Sequence, residues 1–133
     1  MKVVVPRELA AGETRVAVTP RTVKRMDRAG LVVHIESGAG TASGITDLEF
    51  REAGATIVAD RADLLSGSEI VLCVRPPDSE TIDQIPTAAV LIAVLDPMIE
   101  HAVVDQLAAR SISAFSLDMV PRIARAQSMD VLS

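Results

Sequence analysis

Apolar residues fall in short uninterrupted runs, separated by polar segments that carry helix-start signals. Val3–Val5, Ile70–Val74 and Val90–Leu95 are rich in β-branched residues and have the length of strands buried on both faces of a parallel sheet. Leu31–Ile35 and Ile112–Leu117 read as two further strands, and Thr56–Val58 as a short one at an edge. Between them, Thr19-Pro20 and Asp96-Pro97 each set a capping side chain before a proline at the first helical position. Thr46 to Glu49 is a capping box, and Asp60 and Asp78 cap two shorter helices. From Pro97 to Arg110, residues Ile99, Val103 and Leu107, with Ala102 beside them, form one apolar stripe to lie on a sheet. Gly30 and Gly54 stand where helices should close. Strands alternating with helices predict a three-layer α/β/α sandwich on a mainly parallel sheet. The expected strand order is flavodoxin-like (Rossmann-like), with residues 1-133 forming one domain.

Composition narrows this picture. Phe50 and Phe115 are the only aromatic residues, so the core is aliphatic and an aromatic-cored β-sandwich is excluded. The net charge of -5, with no run of like charges, argues against nucleic acid, whose phosphates need a clustered basic surface. Cys73, the single cysteine, rules out an internal disulfide and reads as a small core residue in a reducing cytosol. The apolar stretch in MKVVVPRE is too short for a signal peptide. The longest apolar run, Ala88 to Leu95, falls far below the ~20 residues of a membrane span, so a soluble chain without membrane insertion is expected.

Ligands of an open parallel sheet bind beyond the carboxyl ends of its strands. That rule selects Glu13, Thr14 and Arg15 after the first strand, and Arg75, Asp96 and Asp118 at the ends of later ones. Arg122 and Arg125 follow in Pro121-Arg-Ile-Ala-Arg-Ala-Gln-Ser-Met-Asp130. Such a rim suits an anionic ligand, with Arg15 and Arg75 as the candidate pair, or it satisfies itself as surface salt bridges. The stretch Gly38-Ala-Gly40-Thr-Ala-Ser-Gly44 lacks both the G-x-G-x-x-G spacing and the lysine of a P-loop, and reads as a wide turn into the capping box. No complete dinucleotide site is present by this test. His34 in a strand and His101 on a helix have no partner at metal-ligand spacing, so no metal is expected. Nor is there an elbow motif for a nucleophilic serine or cysteine.

Four segments carry a family resemblance. MKVVVPRELAAGETRVAVTP resembles the opening shared by alanine dehydrogenases and transhydrogenase alpha subunits, and VHIESGAGTASGIT with Glu52-Ala-Gly-Ala-Thr56 fits both, as does VLCVRPP. Pro121 to Ser133 resembles the Arg-Gln-Asp loop of proton-translocating NAD(P) transhydrogenases. The resemblance implies hydride transfer between NAD(H) and NADP(H) coupled to proton translocation. It implies a homodimer whose NAD(H) site needs a second, Rossmann domain expected after residue 133, and NADP(H) held on a partner component. Membrane-embedded partners would make the assembly cytoplasmic and peripheral to the inner membrane. Carried over by position, Arg122, Gln127 and Asp130 match the loop's three named residues and Ser133 the serine that closes it. All four would bind cofactor at its nicotinamide end, and Arg122, Gln127 and Asp130 would serve catalysis, Gln127 by helping to align the two nicotinamide rings; no acid or base is needed.

Alanine dehydrogenase is the competing reading. There the arginine at Arg15 would bind pyruvate, but Arg75 stands where the family has lysine and Asp96 at or near its histidine. A third reading is an inactive truncated or split subunit that serves folding or dimerisation, since Met129 to Ser133 is amphipathic and ends without a cap.

Overall fold

The computed structural model describes residues 1–93 and 101–116. Six strands form one all-parallel sheet: β1 (Lys2–Val5), β2 (Val32–Glu36), β3 (Thr56–Val58), β4 (Ile70–Cys73), β5 (Val90–Ala93) and β6 (Ser113–Ser116). The spatial order is β3-β2-β1-β4-β5-β6. With the short edge strand β3 set aside, the remaining five follow the expected flavodoxin-like order. With it, the sheet has the 3-2-1-4-5-6 order of doubly wound nucleotide-binding folds. Thr56–Val58 does lie at the edge, while Leu31 is left out of β2 and Glu36 joins it.

The crossover helices are α1 (Pro20–Arg28), α2 (Asp47–Ala53), α3 (Arg61–Leu65), α4 (Ser79–Gln84) and α5 (His101–Ala109). Because the chain winds outward from β1 in one direction and from β4 in the other, α1 and α2 pack together on one face and α3, α4 and α5 on the opposite one. Alternation along β1 serves both layers. Val5 joins Val33, Ile35, Val23 and Phe50 beneath α1 and α2, whereas Val4 joins Val71, Leu91, Leu64 and Ile82 beneath α3 and α4. Two aliphatic cores, with Phe50 the one buried aromatic ring among the described residues, thus sandwich the sheet.

Caps at the described helix starts form as the sequence requires. Thr19, Asp60 and Asp78 each accept a hydrogen bond from the backbone N–H three residues on, and Thr46 and Glu49 complete their reciprocal box. Gly54 closes α2 at φ 115°, and a Cβ there would also come within 2.8 Å of the Asp27 carboxyl carbon. The start expected at Asp96-Pro97, together with Ile99, lies outside the described residues. In α5, Leu107 is buried and Val103 half-buried, but Ala102 is exposed, so the stripe on the sheet is narrower than expected. Among the described residues no helix is long and apolar enough to cross a membrane.

The glycine-rich stretch is a packing device. A 3₁₀ turn at Thr41–Ser43 brings Gly40 against Phe50 and Ile45, where a Cβ would fall 2.7 Å from a Phe50 ring carbon and 2.8 Å from the Ile45 carbonyl oxygen. Gly40→Ala should therefore cost about 1–3 kcal/mol through overpacking. Its urea midpoint should fall at unchanged m-value, and an unshifted midpoint would contradict this packing.

Candidate functional site

β1 and β4 are neighbours whose connections leave in opposite directions, so the loops beyond their carboxyl ends part. A cleft of about 320 Å³ opens there, lined among others by Glu8, Arg61, Cys73, Arg75, Pro76 and Asp78.

A largely buried ion pair adjoins it, with Arg61 lining the cleft and Glu36 behind it. Arg61, at the start of α3, donates from Nη2 to Oε1 of Glu36 at 2.6 Å, and from Nε to the same oxygen at 3.2 Å. Glu36 is the last residue of β2, and the Arg7 backbone N–H also donates to it at 2.7 Å. The guanidinium then reaches the hydroxyl of buried Thr81 in α4 at 2.8 Å and the Arg7 carbonyl at 2.6 Å. One arginine so binds the ends of β1 and β2 to the starts of α3 and α4.

Two further carboxylates organise the loop after β1. Glu8 accepts the backbone N–H of Val74 at 2.8 Å and of Arg75 at 3.1 Å, strapping that loop to the end of β4. Burial raises the Glu8 pKa, against the pull of these two donors, and nearby Glu13 raises it further. Glu13 takes both arginines named in the sequence. Its Oε1 accepts from Arg15 Nη2 and Arg75 Nε, each at 2.7 Å; its Oε2 accepts from Arg15 Nε at 2.8 Å and the Arg15 backbone at 2.9 Å. The Arg15 side chain, then Arg75, then the Arg15 N–H hold the Glu13 carboxyl well below the usual carboxylate range. A depressed carboxylate contributes stability above its unfolded pKa and loses it as pH falls through the folded one, so this cluster stays assembled well into acid.

Arg15 and Arg75 therefore meet, and they meet as ion pairs on a shared carboxylate. The salt-bridged surface and the arginine rim are one object: the guanidiniums remain half-exposed above Glu13. Ser43 donates its hydroxyl to the Thr14 carbonyl, tying the glycine-rich turn to the same loop. Cys73 is buried and its thiol pKa is raised by desolvation, which fits a core residue. His34 is half-buried in β2, its pKa lowered by burial and by Lys2. His101 opens α5, and no group of metal-ligating side chains exists among the described residues. Asp96, Asp118, Arg122, Arg125, Gln127, Asp130 and Ser133 lie outside the described residues. Sequence reasoning missed Glu8, Glu36 and Arg61. The strand-end rule that selected Arg75 applies to Glu36 as well, but Glu8 and Arg61 become visible only once β1, β2 and α3 converge.

The first βα connection does not have the form that seats a pyrophosphate in doubly wound dinucleotide folds. β1 runs into Pro6 rather than a glycine turn, and α1 begins only at Pro20, which has no N–H to donate. Glu8 and Glu13 add negative charge to the same connection.

The model of the alanine dehydrogenase/PNT N-terminal domain family matches residues 4–133. The chain is 39% identical over 138 residues to the first part of the NAD(P) transhydrogenase alpha subunit of Rhodospirillum rubrum, covering all of this chain and 36% of that protein. It is 34% identical over 110 residues to the alanine dehydrogenase of Methanococcus maripaludis, covering 80% of this chain and 30% of that one. A crystal structure of transhydrogenase from Sinorhizobium meliloti superposes with a TM-score of 0.86 at 36% identity, over 99% of this chain and 39% of that one. The chain thus spans about a third of the length of these relatives.

Breaking the buried pair at one end leaves an uncompensated charge. Arg61→Met should destabilise by about 3–5 kcal/mol in chemical denaturation, and adding Glu36→Gln should recover part of that loss. Equal stability of Arg61→Met and the parent would show that the pair contributes nothing.

Proposed function

Since the chain belongs to the alanine dehydrogenase/PNT N-terminal domain family, we propose that it is the N-terminal part of a transhydrogenase alpha subunit. In this reading the complete protein transfers hydride between NAD(H) and NADP(H), coupled to proton translocation. This chain forms the wall opposite the nicotinamide. The supporting observation is the extent of the likeness: it covers the whole chain for the Rhodospirillum rubrum transhydrogenase and 80% of it for the Methanococcus maripaludis alanine dehydrogenase.

The lack of a glycine turn between β1 and α1 supports a division of labour, in which the pyrophosphate of NAD(H) binds a second domain and NADP(H) binds a partner component. Arg122, Gln127, Asp130 and Ser133 would meet the nicotinamide end, with the Gln127 amide orienting the carboxamide. Arg15 and Arg75 would present their outer edges to an anionic group of the ligand. These residues position and exclude water; hydride transfer asks for no proton donor from the chain. Homodimerisation and docking on membrane-embedded components, at the cytoplasmic side of the inner membrane, complete the reading.

The competing activity, oxidative deamination of alanine, is weakened by Arg75 and Asp96 at the positions expected to be lysine and histidine. An inactive split subunit would fold and pair but restore nothing. NADH fluorescence titration separates the three. The chain alone should bind NADH with a Kd weaker than about 1 mM. With a polypeptide carrying the second domain and an NADP(H)-binding component, hydride transfer to an NADP analogue should appear and should drop sharply on Gln127→Asn. Tight NADH binding by the chain alone would refute the division of labour. Turnover of pyruvate and ammonium would favour alanine dehydrogenase, and no activity in any mixture would favour the inactive module.

A further inference from the structure

We infer that half of one sheet face is a docking shelf for a single amphipathic helix supplied from outside residues 1–133. That helix is aliphatic where it lies on the strands and acidic along the flank beside α1. The inference goes beyond the proposed activity and uses no nucleotide.

Alternation along the strands reveals the open half. Val3 pairs with Ile70, so Ile70 and Leu72 share the face of Val3 and Val5. Ile70 and Leu72 pair in turn with Val90 and Ile92, and these with Ser113 and Phe115. On the opposite face Val71, Cys73 and Leu91 are buried beneath the α3, α4 and α5 layer. On this face α1 and α2 bury Val5, Val33 and Ile35, but no described helix continues over β4, β5 and β6. Ile70, Leu72, Val90 and Ile92 are accordingly only half-buried, and Phe115 is 57% exposed. A hollow of about 330 Å³, lined by Met1, Ile70 and Val90 among others, opens at the foot of the same face. An apolar patch of this kind on a folded chain marks an interaction site.

The dimensions fit one helix. Three strands about 4.8 Å apart set the outer two about 10 Å from each other, which is the diameter of a helix. Strands of four residues run about 13 Å, or roughly two and a half helical turns. A second copy of the chain is a poorer occupant. Six part-covered side chains, the largest a phenyl ring of about 150–250 Å² in full, fall short of the roughly 800 Å² per partner of a stable dimer. This chain covers 36% of the Rhodospirillum rubrum relative that it matches throughout, and the corresponding remainder is the source assigned to the helix.

Charge sets the flank. Asp27 sits against the end of α2, its carboxyl carbon 2.8 Å from where a Cβ on Gly54 would lie. Arg25, two residues earlier and so about 200° around the helix, stands on the flank turned away from α2, toward β4. It is exposed, and no ion pair holds it among the described residues. Arg21 and Lys24, by contrast, share the groove between α1 and α2 with Glu49 and Glu52. Glu69, at the foot of the shelf, accepts the Lys2 N–H. A helix on the shelf therefore runs beside an unmatched cation.

The test places a thiol on the shelf as Ser113→Cys, and a control on the far edge strand as Thr56→Cys. Both positions are exposed, whereas the native Cys73 is buried and silent. Alkylation by iodoacetamide is timed in the full chain with two helical peptides. Each has a leucine face; one carries glutamates along its flank and the other lysines. The glutamate peptide should slow alkylation of the Ser113→Cys chain and leave the Thr56→Cys chain unaffected. It should bind about threefold to tenfold more tightly than the lysine peptide at low ionic strength, and Arg25→Gln should remove most of that preference. Phe115→Ser should weaken its binding about tenfold at an unchanged urea midpoint, because the ring is exposed in the chain alone. Protection by neither peptide would overturn the shelf, and equal protection by both would overturn the acidic flank. Protection that grows with the concentration of the chain itself would put a second copy there. Slow alkylation of the dilute chain without peptide would show that residues 1–133 cover the face themselves; either result overturns the inference.

Discussion

The Glu36 carboxylate stands where β2 ends, and Arg7 and Arg61, from separate parts of the chain, both donate to it. Arg61 carries most of that convergence, since its guanidinium also holds the Arg7 carbonyl and Thr81. A charge pair so little exposed is costly to assemble and costlier to break, because desolvation must be offset by complete hydrogen bonding. Here every donor nitrogen of Arg61 has a partner. The position of the loop after β1, and with it Glu8, Glu13 and Arg15, follows from that anchor.

Above the anchor the site is built in tiers. Glu36 and Arg61 fix where β1 ends relative to α3 and α4; Glu8 straps the same loop to β4; Glu13 gathers Arg15 and Arg75 at the surface. The arginines of the outermost tier are the most exposed, and so the most free to meet a ligand. In the outermost tier the Glu13 carboxylate lies inward and the Arg15 and Arg75 guanidiniums outward. At the end of β1, where doubly wound folds seat a pyrophosphate, stand Pro6 and Glu8.

Membership of the alanine dehydrogenase/PNT N-terminal domain family is compatible with such a rim on a domain whose β1 runs into a proline rather than a glycine turn. On the proposed reading, a second domain would hold the phosphates, and geometry and dryness would matter more than acid–base groups.

Much of the fold was legible in the chain because it depends on local rules. Runs such as Val3–Val5 and Ile70–Cys73 have the length and branching of strands buried on both faces, and Thr46 with Glu49, Asp60 and Asp78 mark helix starts through hydrogen bonds made within four residues. Arg15 and Arg75 were legible too, as strand-end cations in an open sheet. Tertiary structure alone decided that they share Glu13, since the bond between Arg75 and Glu13 joins residues 62 positions apart. It alone revealed Glu8 and the Glu36–Arg61 pair, whose meaning rests on burial and on partners brought in by other crossovers. Periodicity and capping are written in neighbouring residues, whereas the electrostatics of a rim exist only after distant loops have been brought to the same edge.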